Sequence, residues 1–210
     1  MFTGLVREFG RVERLQGSSL RILAKHKPSI GDSIAVNGAC LTAIEVFKGG
    51  FVLELSEETQ RHIALESYQD LVHIEPAMRL SDRLDGHIVQ GHIDGIGTIT
   101  KITPHSVGTD FFIKVDSKVL ALCVPKGSIA INGISLTLNE VLDSILRLTI
   151  IPHTLQTTLF RGYKVGQRVN IETDCLARMV QHFLACKQDS TLNQDSKLSW
   201  AAVDRILGSY

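Results

Sequence analysis

The stretch SIAVNGACLTAIEV at residues 33–46 occurs a second time, as SIAINGISLTLNEV, at residues 128–141, and nine of the fourteen positions are identical. The same 95-residue offset aligns Leu53 with Leu148 and Thr59 with Thr154. With a few residues of slippage, GLV at residues 4–6 aligns with GHI at 91–93, and VHIE at 72–75 aligns with VNIE at 169–172. The chain is therefore predicted to contain two copies of one module.

A repeat of about ninety residues is too long for a solenoid unit and has the size of a small domain with its own core. We expect an N-terminal domain at residues 1–86 and a second domain at 87–172, followed by a helix at 173–187 and a tail at 188–210. The chemistry of one module is then performed twice, or by two modules acting together.

Composition limits the function classes. The 210 residues are 44% hydrophobic with a mean hydropathy of +0.12, which is typical of a folded protein. The 22 basic and 22 acidic side chains balance, which opposes nucleic-acid binding because that function usually needs a basic excess. The chain lacks an apolar run of about 18 residues and the pattern of a secretory leader, so we expect no membrane association and a cytoplasmic location.

The four cysteines, Cys40, Cys123, Cys175 and Cys186, form no CxxC pair and show no regular spacing. This pattern favours reduced thiols in the cytosol over a disulfide framework.

Short segments rich in Val, Ile, Thr and Phe alternate with Gly, Asn, Asp and Lys-Gly in each module. They predict an all-β fold, either a sandwich or a barrel. Asn37-Gly38 and Asn132-Gly133 each separate two strand-like runs and predict tight hairpins. Residues 58–65 and 153–160 are expected to form a turn of helix at the end of each module, and the polar residues 78–86 to form a surface linker.

After Asp174 the apolar residues Leu176, Met179, Val180, Phe183 and Leu184 recur at helical spacing. This helix belongs to neither repeat, so it covers a sheet or packs against copies of itself, and we favour self-association. Residues 188–196 are a polar linker, and the segment with Trp200 is expected to form a short docking helix.

Searches for common motifs exclude several classes. The sequence contains no GxGxxG, GxxxxGK[ST], GxSxG or HExxH, which argues against dinucleotide cradles, phosphate loops and zincin sites. His87 and His92 lie five residues apart in GHIVQGH without a third ligand at a recognisable spacing. They are either a polar pair near the module junction or, less favoured, part of a metal site.

Polar side chains recur at matching places in both repeats. Cys40 aligns with Ser135, and Thr42 aligns with Thr137. Cys40 and Thr42 lie two residues apart and therefore share one face of their strand, as do Ser135 and Thr137. If that face points into a barrel, the pair occupies positions normally filled by Val or Leu. The side chains then either bond to the backbone within the fold or serve a ligand, and the repetition in both modules favours a ligand.

The motifs MFTGLV, NGACLT, NGISLT, SDRLDGHIVQGHIDG, IIPHTL and VNIETD together resemble the riboflavin synthase family over residues 1–187. The resemblance implies two tandem six-stranded antiparallel Greek-key β-barrels with a C-terminal α-helix that holds a homotrimer together. It also implies the dismutation of two molecules of 6,7-dimethyl-8-ribityllumazine to riboflavin and 5-amino-6-(ribitylamino)uracil, without cofactor or metal. The resemblance also implies lumazine synthase as a further partner.

Carried over by position, the resemblance places one pocket in each module, and in the family the active site forms between the first barrel of one subunit and the second barrel of its neighbour. The first pocket would use Gly4, Leu5, Val6, Cys40, Leu41, Thr42, Glu54, Leu55, Ser56, Glu57, Glu58 and Thr59. The second would use Gly91, His92, Ile93, Lys126, Ser135, Leu136, Thr137, Thr149, Ile150, Ile151, Pro152, His153 and Thr154.

The implied chemistry is accessible to ordinary side chains. The C7 methyl of the lumazine is acidic because its carbanion delocalises into the pteridine, so a modest base suffices. The predicted catalytic residues are Phe2, Cys40, His92, Ser135, Thr137 and Asp174. Of these, Phe2 is expected to close over one ligand. Asp174 resembles an acidic residue of the family near the second site, but its role as a helix N-cap is favoured.

Two other functions stay open. A lumazine protein of the same superfamily would hold one chromophore as an optical antenna without converting it. An unrelated small-barrel oligonucleotide binder is opposed by the neutral charge and the 6% aromatic content.

The first module departs from the family pattern ETLxxT at Gln60 and Ile63, whereas the second module keeps the pattern better as HTLQTTL. This departure concerns local packing only.

Overall fold

The computed structural model describes residues 1–190, and the predicted docking helix around Trp200 lies outside these residues. The first module is a closed antiparallel barrel with the strand order β1-β2-β5-β4-β3-β6. Its strands are β1 (Glu8–Gln16), β2 (Ser19–Leu23), β3 (Ser33–Val36), β4 (Ala39–Phe47), β5 (Gly50–Glu54) and β6 (Leu71–Pro76). The predicted six-stranded barrel is thus confirmed for this module.

The second module forms one sheet of seven strands in the order β10-β9-β13-β7-β8-β12-β11. Its strands are β7 (Gly95–His105), β8 (Gly108–Lys114), β9 (Ser128–Ile131), β10 (Ile134–Thr137), β11 (Glu140–Leu142), β12 (Ile145–Ile150) and β13 (Arg168–Thr173). The order around the sheet is that of the first barrel, with β10 and β11 together standing for β4. The expected count of six is therefore seven here, because one strand is divided.

The division has a local cause at Asn139. In the first module β4 continues through a β-bulge between Ala43 and Glu45. In the second module Asn139 stands where the first has Ile44, and its Oδ1 accepts a hydrogen bond from the Thr149 N–H at 2.7 Å. The Asn139 side chain thus takes the Thr149 N–H, which would otherwise bond to the neighbouring strand, and regular strand pairing stops between β10 and β11.

Short helices follow the barrel strands. They are α1 (Glu57–His62), α2 (Ser117–Leu120), α3 (Pro152–Thr157) and α4 (Cys175–Ser190), with 3-10 turns at Leu65–Ser67 and Leu159–Gly162. α1 and α3 confirm the two predicted helical turns, and their N-termini lie at equivalent places in the repeat. α2 was not predicted; Asp116 caps it by accepting from the Val119 N–H at 2.9 Å.

The hairpins confirm the turns predicted from Asn-Gly. Asn37 and Gly38 have φ of 44° and 85°, and Asn132 and Gly133 have φ of 46° and 79°. Positive φ at both central residues is the signature of the type I′ turn. A Cβ on Gly38 would lie 2.6 Å from the Gly133 backbone nitrogen, so the two hairpin tips touch and only glycine fits between them.

Each module has its own apolar core. In the first barrel it includes the fully buried Leu20, Ile34, Phe51 and Ile74. In the second it includes Ile99, Phe111, Ile131 and Leu148. A smaller cluster of Phe2, Ala35, Val89 and Ala130 is drawn from both modules. In the predicted linker at residues 78–86, residues 79–85 are all exposed and the two end residues are half-buried.

The C-terminal helix begins at Cys175, and Asp174 caps it by accepting from the Leu176 N–H at 2.9 Å. Residues 1–177 form one compact unit, and the chain from Arg178 belongs to a second. The side chains of Leu176, Met179, Val180, Phe183 and Leu184 are between 53% and 67% exposed. No helix in the described part of the chain is long and apolar enough to cross a membrane.

Candidate functional site

The glycine segment of each module lies against the polar strand of the other. The Ser135 N–H donates to the Gly4 carbonyl at 2.8 Å, and the Cys40 N–H donates to the Gly91 carbonyl at 2.9 Å. Val6 accordingly packs on the core of the second module, and Ile93 on the core of the first. The structure thus exchanges residues 4–6 and 91–93 relative to the expected grouping, because each segment crosses to the other module before its own barrel begins.

Two buried carboxylates hold these segments in place. Glu75, on β6, accepts from the Thr3 N–H at 2.7 Å and from the Gly4 N–H at 3.1 Å. Glu172, on β13, accepts from the Gln90 N–H at 2.7 Å and from the Gly91 N–H at 2.8 Å. Burial raises the pKa of Glu75, while the bonds from Thr3 and Gly4 oppose this shift.

A cavity of about 500 Å³ opens beside Cys40, and residues of both modules line it. The lining residues are Cys40, Glu58, Thr59, His62, Ile63, Gly91, His92 and Ile93. A glycine at position 91 is required for this closeness, because its φ is +79° and a Cβ there would lie 2.5 Å from the Cys40 Cβ. We call this cavity the first pocket.

The other residues predicted for the first module have different places. Leu41 is in the barrel core and Thr42 is exposed, so the face shared by Cys40 and Thr42 points away from the core. The alternation of the inward Ala39, Leu41 and Ala43 explains this orientation. Of the predicted stretch 54–59, Glu58 and Thr59 line the first pocket, whereas Leu55 is fully buried.

The remaining members of that stretch organise α1. Ser56 caps the helix by accepting from the Thr59 N–H at 3.0 Å, and its hydroxyl lies 2.9 Å from the Thr59 hydroxyl. Glu54 and Glu57 are exposed. The cap fixes the first turn of α1, and that turn presents Glu58 and Thr59 to the cavity.

Around Ser135 the second module builds the equivalent site, which we call the second site. Ser135 Oγ lies 2.7 Å from His87 Nδ1. His87 is buried, and among the described residues its Nε2 has no hydrogen-bond partner. Burial lowers the pKa of His87, and the nearby Asp174 carboxylate opposes this, so the ring is neutral at neutral pH and able to accept a proton.

Other predicted residues lie on the strands and helix of the second module. Lys126 is exposed and has φ of +67°, where the repeat places Gly31 in the first module. Thr149 donates its hydroxyl proton to Asp110 Oδ1 at 2.7 Å. The rest divide by burial: Thr137, Ile151, Pro152 and His153 are exposed, Leu136 and Thr154 are half-buried, and Ile150 is buried.

Phe2 is fully buried and forms a bridge with Val89, to whose carbonyl its N–H donates at 2.7 Å. Its ring packs in the cluster drawn from both modules, with Cys40 beside it. The ring is enclosed in this structure, and its closure over a ligand stays a prediction. It anchors the segment that carries Gly4 to the second site.

All four cysteines are free thiols, as predicted. Among the residues that the structure describes, no group of three His, Cys, Asp or Glu side chains is arranged to hold a metal ion.

Comparisons with known proteins follow the same division into two modules. A family model described as lumazine binding domain matches residues 3–77 and again residues 90–174. Riboflavin synthase of Photobacterium phosphoreum is 35% identical to this chain over 98% of both chains. This chain belongs to the riboflavin synthase family. Riboflavin synthase of Actinobacillus pleuropneumoniae is 37% identical and covers 89% of this chain and 91% of its own length.

Membership in the riboflavin synthase family confirms the resemblance read from the sequence, and it makes the chain an enzyme of the transferase class. A crystal structure of LumP complexed with 6,7-dimethyl-8-(1'-D-ribityl) lumazine has a TM-score of 0.72 at 20% identity. It covers 82% of this chain and 99% of LumP. That likeness shows the shared fold.

Three residues of the first pocket and the second site were not predicted. His62 and Ile63 line the first pocket, and the signal for His62 was its helical spacing from Glu58 and Thr59. His87 was noted only as half of a polar pair, although it contacts Ser135. No sequence pattern pointed to that contact, since the two residues lie 48 positions apart.

Proposed function

We propose that this chain converts two molecules of 6,7-dimethyl-8-ribityllumazine into riboflavin and 5-amino-6-(ribitylamino)uracil. One molecule donates four carbon atoms, and the other accepts them. The observation that carries the proposal is the duplicated arrangement in which Cys40 and Ser135 each lie beneath a glycine segment from the other module. Two similar sites suit a reaction between two identical substrates.

Holding both substrates supplies much of the rate. A reaction between two bound molecules in a productive orientation gains an effective molarity on the order of 10⁵ M. The side chains then need only move protons, because the acidic C7 methyl requires no strong base. We propose that residues 54–59, 91–93, 126, 135–137 and 149–154 hold the ligands, together with residues 4–6 and 40–42, in the exchanged grouping described above.

Proton transfer is assigned to one set of groups at each site. At the first pocket these are Cys40 and the exposed His92. At the second site Ser135 stands 2.7 Å from a neutral His87 ring, which accepts its proton at Nδ1, and Asp174 stabilises the cation that results. Thr137 and Lys126 are assigned to the ribityl chain; both side chains are exposed.

The direct test is incubation of the purified chain with dimethylribityllumazine. We expect the absorption and green fluorescence of riboflavin to appear in a one-to-two ratio to the lumazine consumed. Ser135→Ala and Cys40→Ala should each lower kcat by about 100-fold, the scale of a lost proton-transfer group. Cys186→Ala is the matched control, because it removes an exposed thiol outside both sites; full activity of Ser135→Ala would contradict the assignment.

The antenna hypothesis predicts a different outcome for the same incubation, namely stable blue-shifted emission without riboflavin. The relatives that match nearly the full chain at about 35% identity are named riboflavin synthases, which favours the enzyme. The oligonucleotide hypothesis has no such support.

The assembly and location remain proposals as well. We propose a homotrimer held by the C-terminal helix at residues 173–187, in which the first barrel of one subunit faces the second barrel of its neighbour. Lumazine synthase is the proposed protein partner. The domain boundaries at residues 86 and 172 belong to the same proposal. The four free thiols support a cytoplasmic enzyme.

A further inference from the structure

Strands β6 and β13 occupy equivalent places in the two repeats, and each sends one buried polar side chain into the opposite module. Asn170 Oδ1 accepts from the Ala64 N–H at 2.7 Å, and His73 Nε2 accepts from the Leu159 N–H at 2.8 Å. Ala64 and Leu159 are themselves equivalent in the 95-residue repeat. The two contacts are therefore one contact made twice, in opposite directions.

Both acceptors hold the chain just after a helix of a proposed ligand site. Ala64 comes two residues after the end of α1, next to Ile63 of the first pocket. Leu159 comes two residues after the end of α3, the helix that carries Thr154 of the second site. Ala64 directly precedes the 3-10 turn Leu65–Ser67, and Leu159 is the first residue of the 3-10 turn Leu159–Gly162. A backbone N–H at the start of such a turn has no acceptor within the turn, so losing its buried side-chain acceptor would let this part of the chain shift.

Each acceptor is itself fixed by the hairpin tips. Asn170 Nδ2 donates to the Asn37 carbonyl at 2.8 Å and to the Tyr68 hydroxyl at 3.1 Å. His73 Nδ1 lies 3.1 Å from the Asn132 carbonyl, which can only accept. His73 is thus the neutral tautomer with its proton on Nδ1, and Nε2 has the lone pair that Leu159 requires.

We propose that His73 and Asn170 are positioning residues that lock the pocket helix of the opposite module, so that each barrel holds the ligand site of the other in its reactive geometry. The inference rests on the proposed function for its consequence in catalysis, but the contacts themselves exist without substrate. The proposal also predicts that the contact made by His73 is sensitive to acid and that the contact made by Asn170 is not, since only histidine titrates.

The difference between the two residues makes the lock testable. Burial lowers the pKa of His73 from 6.5 to about 4, and protonation would replace the Nε2 lone pair by a donor that faces the Leu159 N–H. The titratable groups on the surrounding elements include the phenols of Tyr68 and Tyr163, both with a raised pKa, and the exposed Arg161 two residues after Leu159. The paired strand β1 adds Glu8 and Arg11 on either side of Phe9, which lies opposite His73. Asn170 keeps its acceptor at every pH.

The first experiment measures amide exchange at Leu159 and Ala64 in the full chain without ligand, corrected for intrinsic rates. His73→Leu should speed exchange at Leu159 by about tenfold and leave Ala64 unchanged, and Asn170→Leu should do the reverse. His73→Asn should restore wild-type protection, because Asn170 shows that an amide makes this contact. Equal acceleration at both sites, or none, would overturn the lock.

The second experiment uses pH and does not depend on whether His73→Leu folds. Between pH 7 and pH 4.5, corrected exchange at Leu159 should rise in the wild type and stay flat in His73→Asn. The ratio of the wild-type kcat for lumazine to that of His73→Asn should fall over the same pH range in which exchange at Leu159 rises in the wild type. Exchange at Leu159 that is independent of pH in both proteins would refute the proposal; the expected exchange in a chain that never converts lumazine would instead refute the proposed function.

Discussion

At the scale of single residues, the first pocket depends on the absence of a side chain at position 91. A methyl group there would push the Gly91 segment away from Cys40. Gly91→Ala would place a Cβ 2.5 Å from the Cys40 Cβ and 2.8 Å from its backbone nitrogen. The strained φ costs about 1 kcal/mol and the overlap about 1–3 kcal/mol more. We expect a lower free energy of unfolding in urea and a loss of lumazine turnover.

Gly166→Ala is the control for this substitution. Gly166 also has a positive φ, of 88°, but nothing lies within 4 Å of the added Cβ. It should cost about 1 kcal/mol from the backbone alone and keep turnover. If both variants lost the same stability and activity, the close approach of Gly91 to Cys40 would have no role.

The buried His73 also predicts how stability depends on pH. Its folded pKa of about 4 is below the ordinary histidine value of 6.5, so the unfolded chain binds the proton first as pH falls. The contribution of neutral His73 to the free energy of unfolding is fully present above about pH 6.5 and is lost as the pH falls toward 4. By pH 5 the loss amounts to about 2 kcal/mol.

The comparison of wild type with His73→Asn isolates this contribution from the other titrating groups. Urea unfolding at pH 7 and pH 5 should show a difference between the two proteins that shrinks or reverses at pH 5. The same difference at both pH values would mean that His73 keeps its proton equilibrium unchanged on folding.

At the scale of elements, the glycine segments depend on the carboxylate strand that faces them. Glu172→Gln should weaken the hold on Gly91, since one of two N–H donors would face an amide NH₂, at a cost of about 1–3 kcal/mol. The loosened segment uncovers Cys40, so we expect faster reaction of Cys40 with a thiol reagent, measured by peptide mapping. Glu75→Gln is the matched control: it loosens the segment at Gly4, beside Ser135, and should leave Cys40 reactivity unchanged.

Local elements of this fold could be predicted because local chemistry determines them. The Asn-Gly pairs require positive φ at both turn residues, and both hairpins form there. The division of the β4 equivalent was missed because it depends on Asn139, one of five differences within the repeated stretch, whose side chain takes the Thr149 N–H. The exchange of the glycine segments was missed because contacts such as that of Gly91 with Cys40 are non-local, and sequence order suggests pairing within a module.

The same limit applies to the sites. The period of a strand predicts that Cys40 and Thr42 share a face, but only the structure shows that this face points outward, because the alternating Ala39, Leu41 and Ala43 are buried in the core. His87 reaches Ser135 across the module junction, a contact that no spacing encodes. Sequence therefore predicted which residues are polar in duplicate, and the structure was needed to say which of them meet.

At the scale of the whole molecule, the proposed trimer should depend on the apolar stripe of α4. The apolar stripe of α4 includes Met179 and Phe183, which are 53% and 67% exposed. Packing such side chains against copies of the helix is worth about 1.5–3 kcal/mol for each large side chain buried, whereas a carboxylate there would be left unpaired. We expect Phe183→Asp to shift the protein from trimer to monomer in sedimentation equilibrium.

Ala185→Asp is the control, because position 185 lies on the opposite side of the same helix and adds the same charge. It should stay trimeric and active. If the reaction site lies between subunits, the Phe183→Asp monomer should still bind riboflavin but convert lumazine at least about 100-fold more slowly, since the two bound substrates no longer meet. A monomer with full turnover would show that both substrates react within one chain, and the pairing of sites would then have to be sought between its own two modules.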